Sequence, residues 1–184
     1  MNSFIYLVLI TAWYTAPIYM ANVMPIVVRR WCNWLAFPLD LGKKYKDQPI
    51  FGRNKTFRGL LVAVIAGVLI FVLQRYAYQN SEFFRSISII NYTEMTLWLG
   101  FLMGLGSILG DLIKSFVKRR FRVNPGQSWF PWDQMDYALG GMILGFFLFV
   151  PRASVFVFGA LLGISLSIAV STIGKFLGIR KSSW

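Results

Sequence analysis

The chain has 184 residues, 57% hydrophobic and 14% charged, with a net charge of +12 and a mean hydropathy of +0.58. Soluble domains carry about 25% charged residues, so this composition excludes an ordinary soluble domain. The basic residues lie between long apolar segments, which argues against nucleic acid and for an anionic partner at a bilayer surface. There is no histidine and one cysteine, Cys32, so an intramolecular disulfide is excluded. The commonest general base and zinc ligand are missing. Chemistry is left to Asp, Lys, Arg, backbone amides and a hard cation, and the lone thiol beside Arg29 and Arg30 reads as incidental.

A membrane-spanning helix needs about 20 mainly apolar residues, and five segments qualify: 4–28, 60–76, 94–117, 136–150 and 153–173. The first lacks a basic leader and a small-residue cleavage site and is too long for a signal peptide. Pro17 and Pro25 are expected to kink or shorten it. Glycines recur four residues apart, Gly100 with Gly104, Gly106 with Gly110, Gly141 with Gly145 and Gly159 with Gly163. That spacing lets helix backbones pack closely. With no repeat or linker, residues 1–184 read as one domain.

Lys and Arg are unevenly distributed among the connections. Residues 29–59 hold eight (Arg29, Arg30, Lys43, Lys44, Lys46, Arg53, Lys55, Arg58) and 114–135 hold five (Lys114, Lys118, Arg119, Arg120, Arg122). The tail holds Lys175, Arg180 and Lys181, and the opposite side only Arg75, Arg85 and Arg152. The positive-inside rule places the N-terminus outside and the C-terminus in the cytoplasm. The expected fold is an all-α, five-span membrane protein whose two cytoplasmic loops form one site.

The loop 38–59 carries Gly52, Asn54, Lys55, Thr56, Arg58 and Gly59 directly before the second span. A glycine-containing turn feeding a helix N-terminus offers amides and a positive dipole end to phosphate, and Arg binds phosphate bidentately. The Walker spacing is absent, and a solvated basic loop facing lipid headgroups accounts for these residues equally well. The apolar part of the third span, 97–109, is too short to cross alone at ~1.5 Å per residue, so the helix should run on through Asp111 and Lys114. Asp111 shares a face there with Ser107, Lys114 and Ser115. It serves either an Asp111–Lys114 ion pair or a metal or phosphate site. Pro131 suits the first turn of the fourth helix, which puts Asp133 and Asp136 on one face of that turn. Helix capping explains one such Asp, but two repel unless a cation or basic group lies between them, and an oxygen-only site favours Mg²⁺.

The run Ser115–Phe116–Val117–Lys118–Arg119, followed by Asp133–Gln134–Met135–Asp136, resembles the signature of the membrane CTP-dependent cytidylyltransferases. The loop from Phe51 to Gly59 and the pair Gly110–Asp111 resemble the archaeal branch of that family, the CDP-archaeol synthases. The chain lacks the Gly-His-Gly-Gly element and the extra N-terminal helices of bacterial-type phosphatidate cytidylyltransferases, which favours the archaeal branch. The resemblance implies transfer of the cytidylyl group of CTP to a membrane lipid phosphate, an ether-lipid phosphate or phosphatidate, with Mg²⁺. It implies catalytic roles for Asp111, Asp133, Asp136 and Lys118, with the three Asp as metal ligands. Gly52, Asn54, Lys55, Thr56, Arg58, Ser115 and Arg119 are then the substrate-binding residues. The implied location is the cell membrane, multi-pass, with the site facing the cytoplasm. A small transporter or channel with basic cytoplasmic loops is the alternative, and would carry midplane charges or inverted repeats. The Asp-Gly-x-x-Ala-Arg motif of the CDP-alcohol phosphotransferases is absent.

Overall fold

The computed structural model describes residues 3–28, 33–123, 127 and 129–176. Cys32, Arg29, Arg30, Arg180 and Lys181 lie outside these residues. Among these residues six α-helices form: α1 (Ser3–Val27), α2 (Phe57–Asn80), α3 (Glu82–Ser86), α4 (Trp98–Arg120), α5 (Trp132–Gly145) and α6 (Ala153–Phe176). Among the described residues α1, α2 and α4 are long and apolar enough to cross a membrane, and α6 adds an apolar stretch over Ala153–Ala169. On α2 the large side chains Leu61, Ile65, Leu69 and Leu73 are 48%, 46%, 57% and 59% exposed. A continuous exposed apolar stripe is a liability in water and the normal surface of a helix in lipid.

The expectation of an all-α chain needs one correction. Strands β1 (Lys44–Tyr45) and β2 (Gln48–Pro49) form a small antiparallel hairpin inside the loop between α1 and α2. Its turn residues Lys46 and Asp47 both have positive φ, 49° and 61°. That is the backbone of a tight two-residue hairpin turn, reached here without the Asn-Gly or Asp-Gly pair that usually announces it. The prolines of α1 do not shorten it, because the helix continues through both. Pro17 has no amide to bond the carbonyl of Trp13, and the amide group of Gln74 on α2 donates to that carbonyl instead. This substitution of partners satisfies the carbonyl that the proline leaves without its helical amide.

Helix ends follow local chemistry. The hydroxyl of Thr56 accepts from the Gly59 amide at 3.2 Å and starts α2 three residues before the apolar run. The helix α4 begins at Trp98 rather than near residue 94, because Asn91 accepts from the Thr93 amide and forms a side-chain turn. Arg75 donates to the carbonyls of Tyr92 and Met95 in the same stretch. The helix α5 stops at Gly145, short of residue 150, and its last carbonyls are taken by the amides of Phe146 to Phe149. Pro151 follows, and a residue preceding proline avoids helical geometry.

The core at the α3 end of the bundle is aromatic and aliphatic, with Tyr14, Ile18, Phe71, Tyr92, Leu99, Met103 and Met142 almost fully buried. Toward the other end the helices meet through glycine. A methyl on Gly104 would stand 2.8 Å from the carbonyl oxygen of Ala63 on α2, and one on Gly106 2.9 Å from Gly141 Cα on α5. At Gly110 a Cβ would lie 2.9 Å from the Asp136 carbonyl carbon and 3.3 Å from Gly140 Cα. The spaced glycines thus pack helices as expected, although Gly145 makes only ordinary contacts, 3.6 Å from Met103. The seam of Gly106 and Gly110 fixes the side chains that follow on α4 against the first turn of α5. Gly110→Ala is expected to force the two backbones apart at a cost of about 1–3 kcal/mol. The variant should show a lower melting temperature in detergent and reduced activity, although no functional group is removed; unchanged values for both would contradict this seam.

Candidate active site

Beyond Gly110, α4 presents Asp111, Lys114, Ser115 and Lys118 at spacings of three and four residues, one face of a helix. The first turn of α5 presents Asp133 and Asp136. The ammonium of Lys114 lies 3.0 Å from Asp111 Oδ1, 3.1 Å from Asp133 Oδ1 and 2.8 Å from Asp136 Oδ2. Lys118 Nζ reaches both oxygens of Asp133, at 2.8 and 3.0 Å, and donates to the Gln127 carbonyl at 2.6 Å. Lys55, from the loop before α2, pairs with Asp111 Oδ2. The Trp129 amide donates to Asp133 Oδ2 at 2.6 Å. Three carboxylates therefore meet three ammoniums in direct contact, and the side chains are mostly buried, Lys114 at 14% exposure and Asp136 at 7%.

The loop that carries Lys55 is built on Asp40. This buried carboxylate accepts from the amides of Gly42 (3.1 Å), Phe51 (3.0 Å) and Gly52 (2.8 Å). Gly42 and Gly52 sit at φ +75° and +96°, where a side chain would be strained. Desolvation pushes the Asp40 carboxyl upward, and the amides of Gly52, Phe51 and Gly42 outweigh it, holding the group below the usual carboxylate range. The stem closes through Leu39 N to Lys55 O at 2.7 Å and Phe57 N to Phe37 O at 3.2 Å. Arg120 fastens the hairpin to α4. Its guanidinium donates to the carbonyls of Tyr45 and Pro49 and lies 4.5 Å from the Phe116 ring centre and 5.0 Å from that of Tyr45.

The structure thus brings together Asp111, Asp133, Asp136, Lys118 and Lys55 of the residues expected at the site, with Ser115 buried on the same α4 face. Arg119 is adjacent. A Cβ on Gly52 would stand 3.8 Å from its Nε, which is buried without a hydrogen-bond partner, while its Nη1 donates to the Val123 carbonyl at 2.5 Å. Thr56 caps α2, and the Gly52 amide is engaged by Asp40. Asn54 is exposed. Arg58 is buried in the first turn of α2 and donates to Asn33 Oδ1 at 3.2 Å. Three residues of consequence were not singled out for the site by sequence. Lys114 entered only as an ion-pair partner of Asp111, Asp40 is signalled only by the Asp-Leu-Gly spacing of a side-chain turn, and nothing marks Arg120 within its basic run.

The donor set is entirely hard oxygen, the chemistry that magnesium and calcium select. The carboxylates of Asp111, Asp133 and Asp136 aim at a common point at which an ammonium now stands, so these residues fit a divalent cation in kind. Among the described residues no group of three such side chains forms a ready-made cage.

An apolar helical bundle with a buried cluster of carboxylates and lysines at one end is the architecture of an integral membrane protein with a polar site. Comparison with known proteins is more specific. A family model described as CarS-like, CDP-archaeol synthase, matches residues 4–184. A CDP-archaeol synthase of Thermofilum pendens is 36% identical over 172 residues, covering 91% of this chain and 77% of that protein. Another, from Methanoculleus marisnigri, is 33% identical over 158 residues, covering 80% and 89%. A solved structure described as an intramembrane enzyme for archaeal membrane lipid biosynthesis superposes with a TM-score of 0.68 at 25% identity, covering 88% of this chain and 92% of that one. The chain belongs to the CDP-archaeol synthase family and is a cytidylyltransferase, so the transporter alternative is not favoured.

Asp40 gives a test of the loop. Because its folded-state pKa is depressed, its contribution is present above the ordinary carboxylate value and lost as pH falls through the lower folded one. Proteolysis of the loop 38–56 is expected to be slow and constant from pH 8 to 5 and to accelerate below about pH 4. Asp40→Asn should show fast cleavage already at pH 7, and a cleavage rate like that of the wild type would contradict the role given to Asp40.

Proposed function

We propose that this chain joins CTP to an archaeal ether-lipid phosphate, giving CDP-lipid and pyrophosphate, with Mg²⁺ as the metal. The observation that carries this reading is the convergence of Asp111, Asp133 and Asp136 with Lys55, Lys114 and Lys118 at one end of an apolar bundle. The names of the relatives support archaeol as the lipid. In this reading the whole chain is one domain with five spans, α5 crossing together with the turn that follows it. The N-terminus lies outside and the site faces the cytoplasm, a reading that the distribution of Lys and Arg supports.

A phosphate monoester is largely ionised at neutral pH, its second pKa being about 6, so a site without histidine needs no strong base. A lipid phosphate oxygen attacks the α-phosphorus of CTP. The new oxygen–phosphorus bond forms as the bond from that phosphorus to the bridging oxygen of the β-phosphate breaks, and the electron pair leaves on pyrophosphate. Lys55, Lys118 and Arg119 neutralise and orient the phosphates, joined by Lys114, while Ser115 and Asn54 supply polar contacts. Asp111, Asp133 and Asp136 would hold the divalent ion, whose chemistry is charge stabilisation at the attacking and leaving oxygens. The isoprenoid tails lie along the apolar faces of the helices, so the substrate need not leave the bilayer.

Asp133→Asn and Asp136→Asn are each expected to cut CTP-dependent pyrophosphate release by roughly a hundredfold or more while folded protein still accumulates. Full activity in both variants would sink the assignment. Lys55→Ala should act mainly on KM, and an unchanged KM for both substrates refutes its phosphate role. Offered phosphatidate and an unsaturated archaeal ether phosphate in parallel, the enzyme should turn over the ether lipid faster; preference for phosphatidate would overturn the lipid assignment.

A further inference from the structure

The three lysines of the cluster are not equivalent. Lys55 touches Asp111 and Lys118 touches Asp133, whereas the Lys114 ammonium touches all three carboxylates at 2.8 to 3.1 Å. We propose that Lys114 is an internal counter-cation that holds the metal position in the free enzyme, so that a divalent ion enters only when substrate phosphates draw this ammonium away. The proposal rests on the reading that Asp111, Asp133 and Asp136 are the metal's ligands.

Three buried carboxylates on adjoining helix turns repel one another, and removing them from water without compensation is costly. Lys114 supplies that compensation from within the chain, and at a single point. The same point is where a metal sharing these ligands must sit. An ammonium and a divalent ion cannot occupy it together, because like charges at such a separation in a shielded site repel strongly. A lysine suits a displaceable counter-ion, being a point charge on a flexible four-carbon stem rather than a planar fork locked bidentately on one carboxylate. The phosphates of CTP offer Lys114 an alternative partner within the same site. Substrate arrival and metal entry are then one coupled event, and the free enzyme resists loading by metal alone.

The test is a Mn²⁺ titration of the purified full chain in detergent without nucleotide, reading free Mn²⁺ by electron paramagnetic resonance. Wild-type protein should bind weakly, and Lys114→Gln roughly tenfold or more tightly. Lys118→Gln removes the same charge from a lysine that touches one carboxylate and should give a clearly smaller gain. A gain as large as that of Lys114→Gln overturns the proposal, as does wild-type binding equal to or tighter than that of Lys114→Gln. If Lys114→Gln does not accumulate as folded protein, the wild-type isotherm decides: weak binding supports the proposal, and tight binding with Lys114 in place overturns it. Asp136→Asn separates the two readings. Lost binding in that variant, with no gain in Lys114→Gln, removes only the role of Lys114. A gain that survives Asp136→Asn in the double variant removes the metal assignment itself.

Discussion

One ammonium ties two helices together within a cluster of three carboxylates and three lysines. Lys114 on α4 contacts its own neighbour Asp111 and, across the helix pair, Asp133 and Asp136 on α5. The contact is possible only because Gly106 and Gly110 let the two backbones meet without intervening side chains. Glycine on the apolar side and an ion cluster on the polar side are therefore parts of one device. The first sets the separation of the helices, and the second makes that separation tolerable for three carboxylates.

The rest of the bundle serves this end. The aromatic core around Tyr14, Phe71 and Tyr92 packs the far end of the helices, and Gln74 repairs the hydrogen bond that Pro17 removes from α1. At the charged end, Asp40 shapes the loop that delivers Lys55, and Arg120 pins the hairpin of that loop to the last turn of α4. Asp40 and Arg120 both use backbone amides or carbonyls as partners. Lysine and aspartate side chains are thereby left to face one another.

Much of this was legible in the sequence. The mainly helical, apolar character of the chain, the continuation of α4 through Asp111, and Asp133 and Asp136 on one turn follow from helical period and from charge set against an apolar background. The same patterns carried the family resemblance. What escaped was tertiary. Helical spacing puts both Lys114 and Lys118 on the Asp111 face, and only the α4–α5 crossing decides which of them reaches all three carboxylates. The hairpin at Lys44–Pro49 lacks a glycine-bearing turn, so no local signal exposes it. Thr56 and Arg58 are expected to bind phosphate from their place before a helix, and the structure adds contacts that the sequence does not show. Thr56 also caps α2 and Arg58 also ties to Asn33.

The most direct measurement is a crystal structure of the protein with Mn²⁺ and CTP, in which anomalous scattering locates the metal. The expected result is a metal peak between the carboxylates of Asp111, Asp133 and Asp136, with the Lys114 ammonium withdrawn onto the nucleotide phosphates. A metal held elsewhere, with Lys114 still bridging all three carboxylates, would contradict the assignment of this cluster as the cation site of the enzyme.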